Sequence, residues 1–292
     1  MAYIIIAALL WSLDAILRRG LYTLSPVIVV LWEHLLGAAV LFPFIFKRLP
    51  EIKKLGRKEW LSVLAVSLFS GALGTIFYTA ALGKVNYIQF SVVVLLQQLQ
   101  PVWAIITAAF VLKERVSKKF IPWAALAIAS SYLVTFKNLE VNWQTGQGTI
   151  IAGLLALAAG MMWAASTSFS KIVLKRISFQ MATFLRFTLA PFFALLIALF
   201  MGQGGKLTSI GQGQWISLLI IVFSSGLVGI LFYYFGLKRV QAKVSAILEL
   251  VWPVSAILID YFYFKNALSS TQVIGAFLVM FSIYKIGRAK GR

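Results

Sequence analysis

Long apolar runs alternate with short polar connections along the whole chain. Each run is about 20 residues long, which is the length that a helix rising 1.5 Å per residue needs to cross about 30 Å of hydrocarbon. The pattern therefore predicts an all-α integral membrane protein with ten transmembrane helices. We place the predicted spans near Tyr3–Tyr22, Pro26–Phe46, Trp60–Leu82, Tyr87–Leu112, Phe120–Phe136, Thr149–Ser170, Phe179–Met201, Trp215–Leu237, Val244–Phe264 and Thr271–Tyr284.

Composition agrees with a membrane protein and narrows the chemistry. Of the 292 residues, 61% are apolar and only 12% are charged, against about 45–50% apolar residues in soluble domains. The chain has no cysteine, so neither disulfides nor thiol chemistry contributes. The first apolar run is interpreted as a span and not as a removable signal peptide, because no Ala-x-Ala cleavage site follows it and nine similar runs do.

The formal net charge of +19 would suit a nucleic-acid-binding protein, so its distribution matters. With the N-terminus placed in the cytoplasm, the cytoplasmic connections and the C-terminal tail hold 20 of the 27 Lys and Arg residues. One more, Arg186, lies within a span, and the outer connections hold the other six: Arg18, Arg19, Lys84, Lys137, Lys206 and Lys265. This imbalance follows the positive-inside rule. It predicts a multi-pass protein of the cell inner membrane with both termini cytoplasmic, whose basic charge faces anionic lipid headgroups and needs no nucleic acid.

Two motifs recur in the same order in the two halves of the chain. Residues 70–78 read SGALGTIFY and residues 225–233 read SGLVGILFY. Pro101 and Pro253 each open a Pro-Val-x-Ala-Ile segment in the fourth and ninth spans. Because the repeat unit holds an odd number of spans, five, the two units cross the bilayer in opposite directions, as in many secondary transporters.

The duplication also predicts how the chain is divided. We expect a first five-helix repeat over residues 1–137, an extracytoplasmic loop over 138–148 and an inverted five-helix repeat over 149–292. Trp11 and Trp163 occupy similar places in the first and sixth spans. The glycines of the repeated motif are expected to allow close contact between helices.

With this organisation the chain resembles the EamA-type exporters of the drug/metabolite transporter superfamily. The resemblance rests on LLWSLDAILRR at residues 9–19, LSP at 24–26, the proline-centred fourth and ninth spans, and LKER at 112–115, which is similar to a Gly-Glu-Arg ending of the fourth span. It implies a ten-helix fold, a substrate pathway bordered by the fourth and ninth spans, and amino acids or related compounds as substrates. The chain departs from the family pattern with Lys113 in place of the glycine and with Glu33 where such proteins often have an arginine.

Three glutamines interrupt the fourth span, in the stretch VLLQQLQPVW at residues 94–103. Unpaired amides in an apolar medium cost roughly 2–7 kcal/mol each. Gln97 lies four residues before Pro101 and Glu249 lies four residues before Pro253, so the inverted repeat puts them in equivalent positions. One interpretation is that the polar side chains face a central cavity. The other is that the amides hydrogen-bond neighbouring helices.

We favour the cavity, and the predicted substrate-binding residues lie near the two prolines, in the repeated motifs or in the first span. They are Gln97, Gln98, Gln100, Glu249, Tyr78, Tyr233, Trp103, Trp252 and Asp14. For the two tryptophans, helix packing is the alternative to a cavity wall. Pro101 and Pro253 free backbone carbonyls and can bend their helices, either as hinges for alternating access or as static kinks.

Charged side chains inside the spans form a second group of candidates. Glu33 and His34 lie in the second span, and Arg186 lies in the corresponding region of the seventh. Either Glu33 pairs with Arg186, which we favour, or Glu33 or His34 carries a coupling proton. Asp14 and Arg18 are spaced i, i+4 and are expected to satisfy each other, with a direct substrate role for Asp14 as the alternative.

The motifs that the chain lacks argue against several function classes. It has no G-x-x-x-x-G-K-[ST] loop, no H-E-x-x-H or G-x-S-x-G motif and a single histidine, so we expect no enzyme activity, no cofactor and no metal site. We predict a secondary transporter that exports small amphipathic metabolites, such as amino acids, by alternating access. The alternatives are a flippase for a lipid or lipid-linked carrier and a multidrug or cation exporter of the same fold. The expected partners are a small-molecule substrate and the bilayer, and proton coupling and a homodimer are left open.

Overall fold

The computed structural model describes residues 1–84, 96–141, 148–265 and 267–289. These residues form helices and connections without a strand, and we number the helical passes α1 to α10. In the first half they are α1 (Ala2–Trp11 and Asp14–Arg18), α2 (Pro26–Ile45), α3 (Arg57–Val66, Ser67–Gly74 and Thr75–Lys84), α4 (Gln100–Leu112) and α5 (Ile121–Thr135). In the second half they are α6 (Thr149–Leu174), α7 (Phe179–Phe200), α8 (Gln212–Val222 and Leu227–Leu237), α9 (Ala242–Leu248 and Val251–Phe264) and α10 (Ser270–Ala289).

The lengths of these passes fit a membrane-spanning bundle. Seven segments of the described chain are long and apolar enough to cross a membrane. The described parts of α4 and α5 are shorter apolar helices, and α1 is interrupted at Ser12 and Leu13. Residues 87–95 of the predicted fourth span lie outside the described residues. Each of the ten predicted spans contains one helical pass, which confirms the all-α membrane fold of two five-helix halves.

Both copies of the SGxxG motif lie where a helix is irregular. In α3 the segment Ser67–Gly74 forms a π-helix, and in α8 the helix is interrupted between Val222 and Leu227. The extra backbone of such irregularities leaves carbonyl groups free to bind side chains. The Ser70 carbonyl, for example, accepts a hydrogen bond from the hydroxyl of Thr75 at 2.9 Å.

Prolines begin a helical segment at equivalent places in α4 and α9. Pro101 lies in the first turn of Gln100–Leu112, and Pro253 lies in the first turn of Val251–Phe264. Proline has no N–H to donate and its ring crowds the carbonyl four residues earlier, so the preceding helix ends there. The Glu249 carbonyl accepts instead from the N–H of Trp252 at 2.9 Å. Both helices are therefore interrupted next to the two prolines, as the sequence predicted. That these interruptions act as hinges stays a prediction.

The two halves pack through a reciprocal contact between glycine and tryptophan. A Cβ atom on Gly74 of α3 would lie 2.7 Å from the indole nitrogen of Trp163 in α6. A Cβ atom on Gly229 of α8 would lie 2.9 Å from the indole nitrogen of Trp11 in α1. Each half thus supplies the glycine against which a tryptophan of the other half packs. The close contacts that were predicted for the motif glycines are confirmed.

Carboxylates of the first half reach the second half at one face of the bundle. This is the face where the start of α1 meets the end of α10, and we call it the terminal face. Glu114, just after α4, accepts hydrogen bonds from the backbone N–H of Ala242 at 2.9 Å and of Lys243 at 3.2 Å, at the start of α9. Glu51 accepts from the N–H of Ser178 at 2.6 Å, just before α7. A carboxylate in this position satisfies free N–H groups and complements the helix dipole.

The opposite face joins the halves through neutral groups in the part of the chain that is described. Gln214, in α8, donates its amide N–H to the hydroxyl of Thr23 at 2.7 Å. The backbone N–H of Asn138, after α5, donates to the hydroxyl of Thr271 in α10 at 3.1 Å. The two faces therefore hold the halves together by different chemistry.

Candidate substrate cavity

A cavity of about 190 Å³ lies between the two halves, in the middle of the bundle. Its walls come from α1, α2, α3, α4, α6, α7, α8 and α9. Most of the residues that the sequence predicted for the site meet there. They are Gln97, Gln98, Gln100, Glu249, Tyr78, Tyr233, Trp252, Asp14, Glu33, His34, Arg186, Pro101 and Pro253.

Trp103 is the exception among the predicted residues. It is absent from the cavity lining and packs instead beside Ala104, Ala164 and Ala246. The small alanine side chains of α6 and α9 leave room for the indole between the helices. The cavity-wall prediction for Trp103 is therefore corrected to helix packing, whereas Trp252 does line the cavity.

Glu249 is held by a chain of hydrogen bonds that crosses between the halves. Its Oε2 accepts from the amide of Gln100 at 3.1 Å, and its Oε1 accepts from the hydroxyl of Ser245 at 3.1 Å. The Ser245 hydroxyl also lies 3.3 Å from the Tyr233 hydroxyl, which in turn lies 3.0 Å from the Thr167 hydroxyl. The carboxylate is therefore fixed in the wall and connected to a row of hydroxyl groups.

The three glutamines have different surroundings, so both interpretations of them apply. Gln100 donates to Glu249 of the other half, and Gln97 lines the cavity with a half-buried side chain. Gln98 is buried, and its amide N–H donates to the hydroxyl of Thr135 in α5. Gln98 thus holds two neighbouring helices together, and it also reaches the cavity lining.

A buried ionic cluster is centred on Arg18. Its Nε lies 2.5 Å from Oδ2 of Asp14, and one terminal nitrogen lies 2.9 Å from Oε2 of Glu33. The other terminal nitrogen lies 3.3 Å from the Thr79 hydroxyl, and the second oxygen of Asp14 accepts from Ser225 at 2.6 Å. The predicted pairing of Asp14 with Arg18 is confirmed. Charges in such a place are retained only when they are paired and hydrogen-bonded.

The favoured pairing of Glu33 with Arg186 is not the one that the structure has. Glu33 binds Arg18 instead, because the second segment of α1 carries Arg18 into the bundle beside α2. Arg18 was predicted to lie in an outer connection, but it lines the cavity. Its i, i+4 spacing from Asp14 was the signal that pointed inward.

Arg186 lines the same cavity without a carboxylate partner among the described residues. It is 7% exposed, and one terminal nitrogen donates to the Ser70 carbonyl of the π-helix at 3.3 Å. Its Nε has no hydrogen-bond partner in the described chain. The absence of a side chain on Gly71 brings α3 and α7 close together here, since a Cβ atom on Gly71 would lie 2.5 Å from Cβ of Ala190.

His34 lies next to this region on α2. Its Nδ1 is 3.0 Å from the Val30 carbonyl, and its ring stacks on that of Phe187 at a centroid distance of 4.7 Å. A carbonyl oxygen only accepts hydrogen bonds, so Nδ1 carries the proton and Nε2 of the neutral ring is an acceptor. That Nε2 atom is buried and has no partner in the described chain.

Two aromatic pairs give the cavity its apolar walls. The ring of Trp11 lies 5.1 Å from that of Tyr233, and the ring of Trp163 lies 5.3 Å from that of Tyr78. Each pair joins one residue from each half, so the pairs are related by the inverted repeat. The indole N–H of Trp11 donates to the Ser225 carbonyl at 3.0 Å. The two tryptophans were noted in the sequence as repeats but were not predicted as cavity residues.

The described residues form ten helical passes in two halves around a central cavity that is lined by charged and polar side chains, and this is the architecture of membrane transporters built from inverted repeats. The model of the EamA-like transporter family matches residues 1–136 and 150–288. The chain therefore belongs to the EamA-like transporter family, as its resemblance to EamA-type proteins of the drug/metabolite transporter superfamily predicted.

Individual relatives carry more specific names. The chain is 35% identical over 286 residues to the riboflavin transporter ImpX of Fusobacterium nucleatum, with 97% of this chain and 95% of that protein covered. It is 26% identical over 294 residues to the uncharacterized inner membrane transporter YhbE of Escherichia coli, with 94% and 86% covered. One solved crystal structure superposes on 98% of this chain and 95% of its own with a TM-score of 0.75, and at 17% identity it supports the fold alone.

Proposed function

We propose that the chain is a secondary transporter that moves riboflavin, or a closely related flavin, across the membrane by alternating access. The observation that carries the proposal is a cavity lined both by two Trp–Tyr pairs and by the hydrogen-bonded Gln100 and Glu249. The similarity to a protein named as a riboflavin transporter, over almost the full length of both chains, supports the same substrate.

The chemistry of a flavin suits such a cavity. A flavin has a flat aromatic ring system, a polar edge of carbonyl and N–H groups, and a chain of hydroxyls. Aromatic side chains bind flat rings through offset or edge contacts, and Trp11 and Trp163 are placed to do so. The hydroxyl chain needs donors and acceptors, which Glu249 and Tyr233 of the cavity lining supply.

The size of the cavity bears on the mechanism. Pockets that hold drug-sized ligands measure about 300–1,000 Å³, whereas this cavity measures about 190 Å³. A flavin therefore enters only when the two halves move apart. Such movement is the basis of alternating access in transporters built from inverted repeats. The broken helices at Pro101 and Pro253 are the places where we expect the halves to bend.

An amino-acid exporter is the second candidate, and one observation favours it. The carboxylate of Glu249 lines the cavity and is a natural partner for an ammonium group. Arg186 or the glutamines would then bind the substrate carboxylate.

Transport in proteoliposomes tests the proposal. The purified chain is reconstituted and offered riboflavin together with a mixture of amino acids, with and without a pH gradient, and the vesicle contents are measured by mass spectrometry. We expect riboflavin to enter at a rate well above that of protein-free vesicles, and the Glu249→Gln variant to be slower. Entry of amino acids without riboflavin would replace the first candidate by the second.

A further inference from the structure

Three residues that line the cavity each have a buried polar atom without a partner in the described chain: Arg186, His34 and Gln98. The atom of Gln98 is its Oε1, and the other two are of opposite type: the Nε–H donor of Arg186 and the Nε2 acceptor of His34. We infer that Arg186 and His34 together bind the imide edge of the substrate, in which a carbonyl oxygen lies beside an N–H. This inference rests on the proposed flavin substrate and specifies which part of the flavin is recognised at this wall.

Arg186 supplies the donor of the pair. Its guanidinium carries five N–H groups in a fixed plane and is always charged. Among the described residues only the Ser70 carbonyl hydrogen-bonds to it, at 3.3 Å. The three acidic side chains of the cavity have other partners: Asp14 and Glu33 bind Arg18, and Glu249 binds Gln100. A buried cation of this kind is costly until an acceptor reaches it. A substrate oxygen in the cavity meets that need.

His34 supplies the acceptor. Nδ1–H of His34 donates a hydrogen bond to the Val30 carbonyl, so Nε2 of the neutral ring has an unshared electron pair. The side chain is 2% exposed and is held in place by stacking on Phe187, the residue that follows Arg186. The same stack brings the His34 ring of α2 against α7. The donor and the acceptor therefore belong to one wall, where α2 meets α7.

The two atoms together discriminate between ligands. A carboxylate offers only acceptors, so it would satisfy Arg186 and leave Nε2 of His34 unpaired. An ammonium group would leave Arg186 without an acceptor, and a hydroxyl, which can both accept and donate, has a single oxygen that would have to reach both groups at once. An imide offers a carbonyl oxygen and an N–H side by side in one plane, and it satisfies both. A buried polar group that is left unpaired is what gives such sites their selectivity.

Equilibrium binding of flavins to the full chain tests the inference. Riboflavin fluorescence is titrated with purified protein, and a riboflavin methylated on the imide nitrogen is titrated in the same way. The variants are Arg186→Gln, His34→Phe and His34→Gln. Arg176→Gln is the matched control, because Arg176 is an exposed arginine at the terminal face. Thermal unfolding of each variant shows whether it is folded.

We expect the wild-type protein to bind the methylated flavin on the order of ten-fold more weakly than riboflavin, since a buried acceptor loses its donor. Arg186→Gln should weaken riboflavin binding on the order of ten- to a hundred-fold, because hydrogen bonds to a charged group are the stronger ones. His34→Phe should bind the two flavins equally, and His34→Gln, which restores an acceptor, should again discriminate. A merely structural role of His34 predicts no change in this ratio.

Equal binding of both flavins by the wild-type protein, or unchanged riboflavin binding by folded Arg186→Gln, would overturn the inference. A further arm uses uridine, which has the imide edge without the flavin ring, and phenylalanine, which has a carboxylate instead. If the protein bound uridine but not riboflavin, and Arg186→Gln lost uridine binding, the flavin proposal would be refuted and the imide site would be retained. Binding of phenylalanine alone would remove both.

Discussion

The carboxylate of Glu114 accepts a hydrogen bond from the backbone N–H of Ala242 at 2.9 Å, and this bond connects the end of α4 to the start of α9. These two helices border the cavity from opposite halves of the chain. A second bond from Lys243 N–H, at 3.2 Å, completes the cap. The halves are therefore fastened at the terminal face through a helix N-terminus, and this fastening has to open whenever the cavity is reached from that side.

Removing the charge of Glu114 should loosen the terminal face. Loss of a helix N-terminal cap costs about 0.5–2 kcal/mol, so Glu114→Gln should raise the population open at this face about 2- to 30-fold. The chain has no cysteine, so a single Ala246→Cys change places one thiol beside the cavity. The rate of maleimide labelling from the terminal face, in sealed vesicles, measures the opening. Glu140→Gln, at an exposed carboxylate, is the control, and equal rates in both variants would contradict the role of the cap.

The reciprocal glycine–tryptophan contacts should tolerate no added methyl group. Gly74→Ala and Gly229→Ala bring a Cβ atom to 2.7 Å and 2.9 Å from an indole nitrogen of the other half. Overpacking of this kind costs about 1–3 kcal/mol. We expect a lower midpoint of thermal unfolding in detergent for each variant.

Gly83→Ala is the matched control for these changes. A Cβ atom there would meet nothing within 4 Å, and alanine favours a helix over glycine by up to about 1 kcal/mol. Its midpoint should be unchanged or higher. If the three variants behaved alike, the glycines would not be contact positions between the halves.

Loss of Arg18 should be far more harmful than loss of an exposed arginine. Arg18→Gln leaves Asp14 and Glu33 buried without their cation, and breaking a buried ion pair on one side costs about 3–5 kcal/mol. Arg176→Gln removes an exposed partner of Glu59 and should change the stability little, because exposed ion pairs are screened by water and salt. Thermal unfolding compares the two. A variant with both Arg18→Leu and Glu33→Leu should recover part of the loss, and an Arg18→Gln protein as stable as the control would refute the ionic cluster as a structural element.

Substitutions at Gln97 and Gln98 should have different effects: the first should change transport and the second should change stability. Gln98→Leu removes the bond to Thr135 and should lower the free energy of unfolding by about 1–3 kcal/mol, because a buried hydroxyl loses its partner. Gln97→Leu changes the cavity wall and should raise KM for the substrate with little effect on thermal unfolding. Unfolding curves and transport kinetics are measured on both. The opposite distribution of effects would reverse the two assignments.

The polar face of α4 and its counterpart in α9 were predictable because the repeat fixes their register. Gln97 and Glu249 precede equivalent prolines by the same four residues, and both reach the cavity. Gln98 shows the limit of that reasoning. Its neighbour Thr135 belongs to another helix, and the spacing along one helix does not specify what a second helix presents.

Arg18 and Trp103 were misplaced for the same physical reason. Arg18 follows an apolar run and was counted with the outer loop, but the break at Ser12 and Leu13 turns its segment into the bundle. Trp103 follows Pro101 closely, yet it packs beside Ala164 and Ala246 of other helices. Both positions depend on contacts between distant segments, which local spacing does not encode.

Counterflow exchange tests the flavin transporter most directly, because it needs no knowledge of the coupling ion. Proteoliposomes are preloaded with unlabelled riboflavin, or with amino acids as the control, and labelled riboflavin is added outside. We predict transient accumulation of the label in the riboflavin-loaded vesicles only, with a smaller effect for Glu249→Gln. Accumulation that is equal for both loads, or absent with folded protein, would contradict a flavin site in this cavity.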